Sequence, residues 1–189
     1  TLIAFPAAAA ATLYKVSSKT EVIGDGAFGA AVYLLEVELP SSVKKIGEGA
    51  FAAAMSLEKV RMSKNITDIG DGAFTFCMSL KSITIPDGVK KINDAAFAFC
   101  SSLASVKIGK NVSSVGTMAF SSCSALKKIT LGGKVKTVGE DAFNGCTSLT
   151  SVAFGKSVKN LKGNPFSGCE SLKKFSVDSS NKYFSADGF

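Results

Sequence analysis

A phenylalanine returns every twenty-three residues, at Phe5, Phe28, Phe51, Phe74, Phe97, Phe120, Phe143, Phe166 and Phe189. A register held that long without insertion or deletion requires a stack of near-identical supersecondary units, each touching only its neighbours. Most of the sequence then serves packing before it serves chemistry, which favours binding over catalysis.

Other columns keep the same beat. Leucine follows the phenylalanine by six residues, from Leu34 and Leu57 through to Leu172; Val37, Val60, Ile83 and their successors follow three residues later, and Leu39, Met62 and Ile85 two after that. The pattern Leu-x-x-apolar-x-apolar reads as a corner leading into a short alternating strand. A second apolar pair closes each unit, as in Val43 and Ile46 or Val135 and Val138, so each unit has two inward-facing edges.

An apolar content of 46% with 20% charged residues fits a folded chain and argues against disorder. No apolar run approaches the roughly 20 residues of a membrane span. The alanine-rich stretch from Leu2 to Leu13 lacks the basic leader of a signal peptide, so any targeting segment is expected outside this sequence. The net charge of +7 and pI near 9.2 fit two roles, plain solubility and attraction of acidic partners. The lysines are scattered, without the aromatic interleaving or dense basic block of a nucleic-acid patch, so no nucleic-acid partner is expected.

Cys77, Cys100, Cys123, Cys146 and Cys169 all stand three residues after the phenylalanine, in a column filled earlier by Ala8, Ala31 and Ala54. That column asks for something small and apolar. Neighbours stacked at strand spacing with parallel side chains match disulfide geometry poorly, so five buried free thiols are expected. With no histidine in the chain and no close cysteine pair, no metal or cofactor is expected either. Cysteine usage leaves the compartment open.

Each unit also carries a glycine and acid motif, such as Ile23-Gly24-Asp25-Gly26-Ala27-Phe28. Gly24-x-Gly26-x-x-Gly29 spells the dinucleotide fingerprint, but its siblings lose the last glycine and no crossover helix accompanies it. The structural reading is a glycine bend followed by an acid capping a short helical or 3₁₀ turn through Ala-Phe, with Pro165 at a first-turn position. One carboxylate per unit, interrupted at Thr117 and Gly163, supplies too few oxygens for calcium. Asn65-Ile66-Thr67 and Asn111-Val112-Ser113 fit a glycosylation sequon, although their position just before the second edge reads better as turn chemistry.

The assembled consensus, Leu-x-x-Ile-x-Ile-Pro-x-x-Val-x-x-Ile-Gly-x-x-Ala-Phe-x-x-Cys-x-x-Leu, resembles the BspA-like class of leucine-rich repeats. The fit is best from Leu80 to Leu103, where Ile83, Ile85, Pro86, Val89, Ile92, Ala96, Phe97 and Cys100 all fall in place. Gly109, Gly132 and Gly155 depart from the proline position. The expected fold is a leucine-rich-repeat solenoid, horseshoe-like α/β but mostly β. Its 23-residue right-handed coils would stack into a parallel sheet, with a second edge of short strands and short helical or 3₁₀ turns. Residues 1–189 read as one solenoid fragment with regular repeats over 22–177. Its ends, 1–21 and 178–189, look irregular and resemble the halves of hairpin-inserted repeats in this family. On that reading Phe5 and Phe189 share the register by coincidence, and Ala7 to Ala11 have no clear role.

What the resemblance implies is a secreted or cell-surface protein that adheres to host extracellular matrix proteins or to other cells; fibronectin and fibrinogen are partners attributed to family members. The motif carries the scaffold and not the ligand. If anything docks, the exposed flanks of the main strands are the expected place, and there Lys59, Arg61, Thr84, Lys107, Lys128 and Lys174 should share one face. A basic receptor for anionic glycan or lipid head groups and a structural spacer are the alternatives. Catalysis is not expected, since no histidine can act as base and no serine or cysteine stands in an asymmetric setting.

Overall fold

The computed structural model describes residues 1–2, 4–5 and 12–185; Ala7 to Ala11, Asp187, Gly188 and Phe189, and with them the register of Phe189, lie outside the described residues. The main face is made by β1 (Leu13–Lys15), β3 (Glu36–Glu38), β5 (Lys59–Arg61), β7 (Ser82–Thr84), β9 (Ser105–Lys107), β11 (Lys128–Leu131), β13 (Ser151–Phe154) and β15 (Lys174–Val177). Two-residue strands form the second edge: β2 (Val22–Ile23), β4 (Lys45–Ile46), β6 (Asp68–Ile69), β8 (Lys91–Ile92), β10 (Ser114–Val115), β12 (Thr137–Val138) and β14 (Asn160–Leu161). All pairings are parallel and offset by one repeat, as in Val37 with Val60 and Val152 with Phe175. A β-branched residue at the inward position of β3 through β13, buried between exposed flanks in β5 and β7, suits a pleated, half-buried surface; β1 and β15 place Tyr14 and Phe175 there.

The phenylalanine column is the spine of the core. Phe28 through Phe143 are fully buried, and successive rings stack nearly parallel, 4.7 Å apart for Phe28 and Phe51 and 5.3 Å for Phe74 and Phe97. Phe5 extends the column, with its ring 5.2 Å from that of Phe28; its register is therefore structural and not coincidental. Tyr14 meets Phe5 and Phe28 edge-on. Further along, Phe154, Phe175 and Phe184 cluster with the spine ring of Phe166 at tilted and edge-on angles, standing where the preceding coil carries Leu131, Val152 and Leu161.

The turns through the spine are not helical. Bonds spanning three residues do form, as from Gly29 N–H to Gly26 O and from Ala31 N–H to Phe28 O. They cannot propagate, because every fourth residue is left-handed: Gly26 and Ala30 with φ of 61° and 53°, then Gly49 and Ala53, Gly72 and Phe76, Ala95 and Phe99. The intervening N–H groups point to the next coil instead, from Phe28 to Ala50 O, Phe51 to Ala73 O and Phe74 to Ala96 O. The acids follow the same logic and do not cap their own turn. Asp25 Oδ1 accepts from Glu48 N–H at 2.8 Å, and Asp71 and Asp94 accept from Asp94 and Thr117 N–H at 3.0 Å. Each carboxylate thus fastens one coil to its successor, satisfying a donor that would otherwise be orphaned. Asn65 and Asn111 act likewise, each donating Nδ2 to a backbone carbonyl of the preceding coil, which is the turn chemistry expected of them.

The main ladder is interrupted. Hydrogen-bonded pairing runs β1-β3-β5, then β7-β9, then β11-β13-β15, and the second edge breaks between β6 and β8. The sheet is therefore three blocks and not one continuous surface. At one junction, between the coils carrying β5–β6 and β7–β8, both edges open together, and Asn93 stands there in a column that holds glycine in most other coils. At two glycines of that column the coils approach too closely for a side chain, a Cβ at Gly70 lying 2.6 Å from Glu48 N and one at Gly139 2.5 Å from Thr117 N, whereas Lys162 carries one and still donates its N–H to Val138 O at 2.9 Å. Gly70 and Gly116 donate their backbone N–H to the preceding coil, at 2.9 and 2.8 Å. At Asn93 the side-chain Nδ2 reaches Ile69 O at 2.7 Å in place of the backbone.

All five cysteines are free; four are buried and Cys169 is half-buried. Each Sγ lies 3.1–3.2 Å from the carbonyl of a spine phenylalanine, as Cys100 from Phe74 O. Burial pushes the Cys100 and Cys146 thiols up to about 12 from an ordinary 9.0. Below pH 9 neither folded nor unfolded thiols ionise, and between 9 and 12 the unfolded chain loses its protons first. Stability should therefore fall as pH rises through that window, measured by denaturant midpoints at stepped pH. At pH 8, a thiol reagent should modify Cys169 ahead of the other four; equal labelling of all five would contradict their burial.

Candidate protein-binding face

Alternation along the main strands sends both flanks of each buried centre outward, so Lys59 and Arg61 (β5), Thr84 (β7), Lys107 (β9), Lys128 (β11) and Lys174 (β15) are all exposed on one face. Their electrostatic states differ. Lys59 lies 3.4 Å from Glu36, and Arg61 pairs with both Glu36 and Glu38, the latter at 3.3 Å. Lys15 completes the network 3.4 Å from Glu38. The hydrogen-bonded Arg61 guanidinium holds the Glu36 carboxyl below its ordinary range, and Glu36 in return raises Arg61. The first three rungs are thus a nearly self-neutralised mosaic of exposed pairs, each worth little to stability.

Lys107, Lys128 and Lys174 have no carboxylate within ion-pair distance among the described residues. They present positive charge outward among Ser82, Thr84, Ser105, Thr130 and Ser176. The β1–β5 charges bring Lys59 and Arg61 together with acids rather than with these lysines.

Where the ladder opens between β5 and β7 the face is indented. A hollow of about 470 Å³ is lined by Lys59, Met62, Lys64, Ser82, Thr84, Pro86, Asp87 and Lys107. It gathers three of the six expected residues, with an apolar floor from Met62, Ile85 and Pro86 and a cationic rim. Asp87 is spoken for: its carboxylate accepts the Lys110 N–H at 2.9 Å and pairs with Lys110 Nζ at 3.0 Å, which lowers its pKa. Lys64 and Met62 also contribute, although the sequence marks Met62 only as a member of the apolar column of Leu39 and Ile85.

Among the described residues no group of three or more histidine, cysteine or acidic side chains is gathered as a metal site, and no helix is long and apolar enough to cross a membrane. The arrangement can offer shape, hydrogen bonds and positive charge to a surface laid across it.

The family model described as the BspA type leucine-rich repeat region matches the chain in six copies, over residues 4–124 and 68–189. Among solved structures, the leucine-rich repeat protein of T. pallidum is 29% identical with a TM-score of 0.64, the match covering 89% of this chain and 70% of that one. A leucine-rich repeat protein from Bacteroides ovatus is 26% identical with a TM-score of 0.51, covering 89% and 58%. None of the curated proteins matches the chain.

Proposed function

Because this chain belongs to the BspA type leucine-rich repeat family, whose solenoids generally serve as protein-binding scaffolds, we propose that it is a non-catalytic adhesion module of a secreted or cell-surface protein, docking an extracellular host protein on its main sheet face. The observation that carries the reading is the indented junction between β5 and β7, an apolar-floored hollow with unpaired Lys107 at its rim and Lys128 and Lys174 beyond it. A concave, partly apolar depression beside a polar rim is where an interface places its anchor. Polar, hydroxyl-rich flanks elsewhere keep the open face from pairing with itself. Burial of four of the five thiols protects them from oxidation and suits an extracellular habitat.

Contacts made by one such patch are modest, and a long array gains strength by engaging several copies of a ligand. Immobilised fibronectin and fibrinogen are the probes for a direct test. The whole chain should bind one of them at physiological salt, and the triple variant Lys107→Glu, Lys128→Glu, Lys174→Glu should lose at least about tenfold in affinity. Equal binding by the variant would remove the face from the reading, and a failure to bind either matrix protein or any host cell surface would leave the fold as a spacer.

A further inference from the structure

The positive charge is not evenly distributed. Residues 1–94 carry ten basic and ten acidic side chains, residues 95–189 twelve basic and five acidic, so the whole +7 resides in the second half. Every ion pair among the described residues uses a base at or before Lys110. The lysines after it have no carboxylate within reach among the described residues.

Three of these, Lys136, Lys159 and Lys182, occupy the same column in consecutive coils. They stand beside the second edge, away from the main sheet face. Lys159 and Asn160 N–H both donate to Lys136 O, at 3.0 and 3.1 Å, which fixes the first two lysines on adjacent rungs. With Lys156, Ser157 and Tyr183 they surround a hollow of about 360 Å³, and Lys159 Nζ lies 6.0 Å from the Tyr183 ring centre. The third rung is held firmly. Asn181 Nδ2 donates to Gly155 O and Val158 O at 2.9 and 3.0 Å, and its Oδ1 accepts from Tyr183 and Phe184 N–H at 2.8 and 3.0 Å. Phe184 then packs against Phe154, 5.8 Å between ring centres. Lys182 and Tyr183 are thus exposed side chains on an anchored backbone.

Like charges on adjacent rungs repel. Earlier in the same column the protein neutralises itself, placing Glu21 3.3 Å from Lys44; here it stacks lysine on lysine and leaves the charge to solvent. We propose that this column is a binding site for a sulfated polysaccharide chain lying along the solenoid axis, its anionic groups answering successive lysines and its hydroxyls meeting Ser157 and Ser180. A line of charges following one column matches a linear polyanion better than a flat membrane, which would draw on lysines spread over a plane. Nucleic acid would need several exposed rings for its bases, and the hollow offers one, beneath a lysine. The site goes beyond the protein-binding reading and occupies a different side of the coil.

The test uses heparin as the probe and the whole chain. Wild type should bind at physiological salt. The triple variant Lys136→Gln, Lys159→Gln, Lys182→Gln should lose at least about tenfold in affinity, with a shallower dependence on salt. A charge-matched control, Lys107→Gln, Lys128→Gln, Lys174→Gln, should stay close to wild type for heparin while losing the matrix protein. Thermal unfolding checks that both variants, altered only at exposed positions, remain folded. The proposal fails if the two triples weaken heparin equally, if wild type does not bind it, or if anionic vesicles or single-stranded oligonucleotide bind more tightly through the same three lysines. Wild type that binds heparin but neither matrix protein would count against the sheet face alone.

Discussion

Phe97→Ala should cost about 3–5 kcal/mol of stability, the range for emptying a buried phenylalanine site. The ring is fully buried and stacked at 5.3 Å on both Phe74 and Phe120, so its removal damages two interfaces of a structure whose stability is a sum of neighbour terms. The surrounding coils cannot collapse into the space without shortening a hydrogen-bonded repeat, because Phe97 N–H is tied to Ala119 O at 2.8 Å. Lys107→Ala, exposed on β9 in the adjoining stretch, should stay within about 0.5 kcal/mol. Denaturant titration of both decides the matter. Similar losses would mean the aromatic column is not the core.

Gly139→Asn should cost about 1–3 kcal/mol, the range for forcing extra atoms into a packed site, and should open the second edge at its own junction. A Cβ there would lie 2.5 Å from backbone atoms of Gly116 and Thr117, and the 2.8 Å bond from Gly139 N–H to Val115 O would stretch or break. Asn93 already shows the outcome in the same column, where β6 and β8 are not paired. Amide exchange in β12 should quicken in the variant, and Asn93→Gly should do the reverse in β8. An unchanged exchange pattern in both would show that close approach is not what reserves the column for glycine.

The spine, the leucine corners and both apolar edges were legible because each is a property of one coil repeated, and repetition exposes it as a column. Relations between coils were harder to read. Asp25 and Asp71 looked like caps of their own turns, yet their partners are Glu48 and Asp94 in the next coil, because the turn's own N–H groups are already committed across coils. Nothing in the identity of Ala30, Phe76 or Met118 announces the left-handed backbone they adopt; they inherit it from columns that hold glycine in other coils. Phe5 looked fortuitous because Ala11 fills its leucine position, but the ring column alone suffices to place it. On the candidate face, alternation correctly put Lys59 beside Arg61, while their neutralisation by Glu36 and Glu38 needed the parallel register of β3 and β5. The hollow depends on where the ladder opens, a relation between coils that no single column announces.

Near-identity of the coil interiors carries a hazard. A chain that winds one full period out of step finds almost the same shapes waiting for it, so the interior cannot tell a correct assembly from a slipped one. The discriminating information rests with the residues that occur once: the Asn93 amide bonded to Ile69, Tyr14 wedged edge-on over the first rings, and the crowd of Phe154, Phe175 and Phe184 at the far terminus. These oddities act as an address, telling each segment which floor of the tower it belongs to.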